Sequence, residues 1–231
     1  MEPQGFPNPY GYRLENMHTE SARHQMIYHQ VRPWDVSDDR VLEALGDVPR
    51  ERFVPDAYRE LAFADTAIPL PCGQHMLKPV QEGRLLQALA ADPGNRALVV
   101  GTGSGFVSAV LARLVDHVTS VDIHAELIDT ASVKLADEKI PNVELRLADF
   151  NELEPGTKFD RILVSGSMPL FDPRLPEWLK PDGRLVAIIG SEPTMHVERV
   201  ARTGSSYTRT RLFETVVQRL ENVPLPEAFE F

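Results

Sequence analysis

The chain has 231 residues, 42% hydrophobic and 25% charged, with 24 Lys+Arg against 34 Asp+Glu and a net charge of −10. Its longest apolar runs, such as 97–100 and 185–189, fall far short of the roughly 20 residues a membrane-spanning helix needs, which excludes a transmembrane protein. An acidic molecule repels polyphosphate chains, so nucleic acid is a disfavoured partner, and the length suits one large domain or one domain with a modest extension.

The start, Met1-Glu2-Pro3-Gln4-Gly5-Phe6, has neither the basic residues nor the apolar stretch of a secretory signal, and Cys72 is the only cysteine. A cytoplasmic protein without intrachain disulfides is expected. Residues 1–16 are rich in Pro, Gly, Asn and Tyr without a period and read as a mobile arm. Residues 17–93 read as a helical and loop extension. Glu20–Val31 has a helical pattern stopped by Pro33, and Ser37 is expected to cap a helix carrying Val41, Leu42 and Leu45, with Asp38 and Asp39 at its positive end. From Phe53 to Pro79 five further breakers (Pro55, Pro69, Pro71, Gly73 and Pro79 itself) predict a loop lying over a site. Glu82–Ala91 restores a helical stripe.

Residues 94–231 change to alternating strand and helix. Strands are expected at 97–100, 118–122, 143–147, 162–164 and 184–189, with helical spacing between them (Phe106, Val107, Val110, Leu111, Leu114; then Leu127, Ile128, Ala131, Leu135). This predicts an α/β fold with a doubly wound, mostly parallel sheet. Val197–Arg202 and Tyr207–Val217, joined across Gly204-Ser205-Ser206, predict an antiparallel C-terminal edge.

Gly101-Thr102-Gly103-Ser104-Gly105 falls where the first of these strands turns into its helix, and Asp122 ends the second strand. In an open α/β sheet both border the cleft at the carboxyl ends of the strands. Glycines let backbone approach a ligand, the helix start favours an anionic group, and the carboxylate can accept from ribose hydroxyls. A dinucleotide fingerprint would carry a third glycine at Phe106; the G-x-G-x-G spacing here fits S-adenosylmethionine better. Ile123 then follows the ribose-binding acid, and Asp149 with Phe150, after the third strand, would meet the adenine.

These residues carry a resemblance over nearly all of 18–231. Gln25-Met26-Ile27 with Val41–Ala44, the block Val48-Pro49-Arg50-Glu51-Arg52-Phe53-Val54-Pro55, Ala62-Phe63-Ala64-Asp65, Gly73-Gln74 with Pro79, the glycine loop, and Leu179–Leu185 resemble the protein-L-isoaspartate O-methyltransferase family. The glycine loop and the Lys180-Pro181-Asp182-Gly183 turn are shared widely; the Val48–Pro55 block is the specific part. The resemblance implies a class I methyltransferase fold and transfer of a methyl group from S-adenosylmethionine to the carboxylate of isoaspartyl residues in damaged proteins or peptides. A carboxylate is ionised near pH 7, so proximity and orientation carry such a reaction without a general base.

Two positions depart from that family. Its loop after Gly-Gln typically reads Thr-Ile-Ser-Gln-Pro, whereas here it is His75-Met76-Leu77-Lys78-Pro79, so Leu77 stands where a hydroxyl faces the reacting carboxylate. An oxygen left unpaired there costs about 1–3 kcal/mol if buried, and His75 or Lys78 are the candidates to compensate. Val99 replaces a frequent glutamate and predicts weakened cofactor binding. Other readings are a methyltransferase of the same fold with a different substrate, or a non-catalytic cofactor-binding or interaction protein.

The remaining candidates are weaker. His18, His24 and His29 lack ligand spacing and predict no metal site. Ser165 and Ser167 either line the cleft or satisfy backbone groups, Cys72 has no partner base in sequence, and Trp34 and Trp178 are expected to pack.

Overall fold

The computed structural model describes residues 11–154 and 156–226. Helix α1 (Gly11–Met26) runs into a π-type turn at Ile27–Val31 and a 3-10 turn at Arg32–Trp34. It starts well before Glu20: residues 11–16 of the expected arm are helical, and residues 1–10 lie outside the described residues. Pro33 is accommodated in the tight turn, and Asp35, at φ 63°, ends it.

Helix α2 (Asp39–Asp47) is capped one residue later than expected. Asp38 accepts from the Arg40 amide at 3.0 Å, while the Ser37 amide donates to Gln87 Oε1 at 2.7 Å. A carboxylate at the positive helix end displaces the hydroxyl reading because it adds charge to the same hydrogen bond. The short α3 (Arg50–Phe53) follows. The breaker-rich stretch then forms only 3-10 turns and two-residue strands, β1 (Ile68–Pro69) and β2 (His75–Met76), paired antiparallel. Helix α4 (Pro79–Leu89) begins earlier than Glu82, since Pro79 fits a first turn that needs no N–H.

Beyond α4 the predicted alternation holds: β3 (Arg96–Val100), α5 (Phe106–Leu114), β4 (His117–Asp122), α6 (Ala125–Asp137), β5 (Val143–Leu147), β6 (Phe159–Met168), β7 (Leu179–Ser191), β8 (Thr194–Thr203) and β9 (Ser206–Thr215). The seven-stranded sheet has the order β5-β4-β3-β6-β7-β8-β9. Pairing is parallel from β5 to β7 and antiparallel from β7 to β9. In β3, Ala97 and Val99 face the core under α4 and α5, whereas Leu98 and Val100 enter a second core with Phe150, Phe159 and Leu175. Two buried faces explain why the central strands read as unbroken apolar runs.

The chain winds outward from β3 to β5, then returns to place β6 on the other side of β3. That reversal opens a crevice at the carboxyl ends of β3, β4 and β6, the position where open α/β sheets bind ligands.

Candidate cofactor and substrate cleft

The turn from β3 into α5 is held down by the Val121 carbonyl, which accepts from the amides of Gly101 (2.9 Å) and Thr102 (3.1 Å). Gly101 has φ +90°, and a Cβ there would lie 2.4 Å from Ser165 Oγ. Ser165 uses that closeness to donate to the Val100 and Gly101 carbonyls (3.0 and 2.7 Å) while also lining the cleft, so both readings of this serine hold. Gly105, at φ +86°, lets α5 approach Ala131 of α6.

The loop residues divide by direction. Gly101 and Gly103 line the cleft. Thr102 turns inward, with Oγ1 2.7 Å from Ser120 Oγ, and Ser104 Oγ accepts from the Phe106 amide at 3.3 Å. Thr102, Ser104 and Gly105 therefore shape the loop and do not face the cleft.

Asp122 is only 7% exposed, yet its carboxylate is well supplied with donors. Oδ2 accepts from the Gly103 amide at 2.9 Å and Oδ1 from the His124 amide at 3.1 Å. Each oxygen keeps further acceptor capacity for a ligand. Ile123, Leu127, Ala148 and Phe150 form an apolar wall beside it. Asp149, also at the wall, accepts from the Asn151 amide (2.8 Å) and from Asn222 Nδ2 (2.6 Å), which ties the C-terminal segment to the cleft. The cleft holds about 730 Å³ of space, part of it open to solvent.

Gln74, His75 and Leu77 line the opposite side; Lys78 does not, and its amide instead donates to Gln81 Oε1 at the start of α4. The sequence reading missed the strap Val217–Glu221, which crosses the cleft. Glu221 Oε1 accepts from Gln74 Nε2 (2.7 Å) and lies 2.9 Å from His124 Nε2, and Gln218 bridges His75 and the Gly73 carbonyl. These contacts join residues about 100 to 145 positions apart, a separation at which only Gln and Glu after a β-hairpin could have hinted at them.

The Val48–Pro55 block lies behind the cleft. Arg50 is fully buried, pairs with Glu82 at 3.0 Å, and donates to the carbonyls of Ala62 and Leu77, the latter at 2.7 Å. Phe53 meets Phe106 edge to face at 5.6 Å, and the Arg50 guanidinium lies 5.5 Å from the Phe106 ring. Phe106 occupies the place of a third glycine because that position here packs against α3. Val99 is likewise a fully buried core residue.

The weaker candidates resolve simply. The Cys72 thiol is pushed up by loss of solvation and by Glu126, 3.6 Å away, the reverse of what an activated nucleophile needs. No cluster of metal-ligating side chains occurs among the described residues, and no helix among them is long and apolar enough to cross a membrane. Trp178 packs edge to face on Phe150, but Trp34 is 57% exposed, contrary to its expected packing role.

A glycine turn after β3, a buried acid closing β4 and an antiparallel edge on a parallel sheet define the class I methyltransferase fold. The Plasmodium falciparum protein-L-isoaspartate O-methyltransferase in complex with S-adenosyl-L-homocysteine shares this fold, with a TM-score of 0.73 at 18% identity over 86% of this chain and 98% of that one. Residues 22–225 match the family model described as protein-L-isoaspartate(D-aspartate) O-methyltransferase, and the chain belongs to that family. It is 40% identical to protein-L-isoaspartate O-methyltransferase 2 of Rhodopseudomonas palustris over 78% of this chain and 83% of the relative. It is 39% identical to the Bradyrhizobium protein-L-isoaspartate O-methyltransferase, over 78% and 84%.

Proposed function

We propose that the protein methylates the side-chain carboxylate of isoaspartyl residues in damaged proteins, with S-adenosylmethionine as methyl donor. The observation that carries this reading is the buried Asp122 carboxylate, fixed by the Gly103 and His124 amides beside a bare glycine backbone. The donor set fits the cofactor: acceptor oxygens for a ribose diol, an apolar wall of Ile123, Leu127 and Phe150 for an adenine, and the Asp149 carboxylate for an exocyclic amine. A bulkier side chain at Gly101 would close the floor of that space. S-adenosylmethionine supplies an electrophilic methyl group on a sulfonium.

This chain's own residues hold and orient. Gly101, Gly103, Asp122, Ile123, Asp149 and Phe150 bind, while Thr102, Ser104 and Gly105 fix the loop's shape. Gln74, His75 and Leu77 face the acceptor, and Lys78 flanks them. The strap Val217–Glu221 keeps bulk water off the cleft. Residues 17–93 act as the cover on the substrate side. The acceptor is a carboxylate on protein or peptide; the charge of −10 disfavours nucleic acid. A single free thiol, exposed at Cys72, suits a reducing cytoplasm.

Leu77 favours one competing reading, a different carboxylate, because its side chain packs on the core and offers no hydroxyl. Transfer of a radiolabelled methyl group to paired isoaspartyl and aspartyl peptides decides between them. Selective labelling of the isoaspartyl peptide is expected; labelling of neither, with cofactor bound, would sink the repair reading.

A further inference from the structure

Gln218 reaches from the strap to both Gly73 and His75. Its Nε2 donates to the Gly73 carbonyl at 2.9 Å, which leaves Oε1 as the atom 2.8 Å from His75 Nδ1. An amide oxygen only accepts, so Nδ1 carries the ring proton. In the neutral ring Nε2 then holds a lone pair, and it has no protein partner among the described residues. His75 is exposed at the cleft, and its neighbour Leu77 gives a carboxylate nothing to accept from.

A lone pair repels a carboxylate oxygen. Only the imidazolium, which is protonated on both nitrogens, can keep its bond to Gln218 and donate from Nε2 in a charge-assisted hydrogen bond. We propose that His75, oriented by Gln218, determines specificity for the acceptor carboxylate and receives it as the imidazolium, so that acceptor binding weakens as pH rises. The inference rests on the methyl-transfer reading above. Methyl transfer itself needs no proton from the ring: the carboxylate oxygen forms the new C–O bond as the C–S bond breaks, and the electron pair stays on sulfur.

The carboxylates around the cleft are already engaged with protein donors. Asp122 takes two backbone amides, Asp149 takes Asn151 and Asn222, and Glu221 takes Gln74 and His124. Arg219 on the strap also lines the cleft, and Lys78 flanks His75 on its own loop without lining it. His124 is the other histidine lining the cleft, so it needs its own control.

Two measurements on the full chain test the proposal. The first is ring-nitrogen NMR, with His75 assigned through His75→Asn. A neutral ring protonated at Nδ1 is expected, with that preference lost in Gln218→Leu. The second is anisotropy of a fluorescein-labelled isoaspartyl peptide in the presence of S-adenosylhomocysteine, from pH 5.5 to 8.5. Affinity is expected to fall about tenfold or more across this range, to become flat in His75→Asn, and to keep its slope in His124→Asn. A ring protonated at Nε2, or binding that is flat with pH in the wild type, overturns the role of His75 and leaves the methyl-transfer reading standing. Absence of peptide binding at every pH overturns that reading, and this inference with it.

Discussion

Arg50 and Glu82 form an ion pair in which neither side chain has any solvent exposure, with Nε 3.0 Å from Oε2. The same guanidinium donates to the Leu77 carbonyl at 2.7 Å, so a buried charge pair sets the backbone of the loop that lines the cleft with Gln74, His75 and Leu77. The specific sequence block around Arg50 and this cleft-lining loop are thus one mechanical unit.

Arg50→Met should lower stability by about 3–5 kcal/mol, because it strands a buried carboxylate. Burial already pushes Glu82 up, against the pull of Arg50. Without the arginine, a carboxyl raised above its unfolded value stabilises the protonated fold at low pH and loses that contribution as pH rises through its folded pKa. The deficit should therefore be larger at pH 8 than at pH 5 in urea titrations. The double variant Arg50→Met, Glu82→Leu should recover most of it; a single-variant loss below about 1 kcal/mol would show that the pair is dispensable.

Asp122→Asn should weaken cofactor binding by about ten- to a hundredfold, the equivalent of one or two lost or misdirected hydrogen bonds. The amide places a donor against the Gly103 or His124 amide, where the native oxygen accepts. Calorimetry with S-adenosylhomocysteine reads this directly, and an unchanged Kd would remove Asp122 from the cofactor site.

Leu77→Ser should raise kcat/KM on isoaspartyl peptides about threefold or more, since it supplies one further hydrogen bond to the acceptor. Its backbone is already anchored by Arg50, so the loop should keep its path. Unchanged kinetics would mean that the missing hydroxyl does not limit this enzyme.

Asp160→Asn should cost about 1 kcal/mol at pH 7 and progressively less as pH falls below the ordinary carboxylate range. Partial burial opposes the Asp160 charge, but Lys180 at 2.8 Å and the Arg96 amide at 2.7 Å outweigh it and hold its pKa below the ordinary carboxylate value. A depressed carboxyl stabilises the fold above its unfolded pKa, and that contribution disappears as pH falls through the folded pKa. Equal wild-type and variant stability at neutral pH would contradict it.

The glycine loop, Asp122, and the strands from 97–100 to 184–189 were all legible because each is a local pattern: an apolar run, a turn that needs positive φ, an acid at a strand end. The N-cap at Asp38 and the start of α4 at Pro79 slipped by one to three residues, since several adjacent residues could satisfy the same helix end. Trp34 misled because a large ring is usually buried, whereas here a left-handed turn at Asp35 leaves it outside.

From residue order alone came the winding of the sheet and the glycine turn and acid that border its cleft, while the carboxylate acceptor was implied by the family resemblance. Three-dimensional packing alone decided that Phe106 locks onto Phe53, that Arg50 grips the Leu77 loop, and that Gln218 and Glu221 return across the mouth of the site. The physical reason is reach: short-range dihedral preferences and periodic burial are written into neighbouring residues, while a hydrogen bond between positions 75 and 218 exists only once the closed sheet has brought them within 2.8 Å.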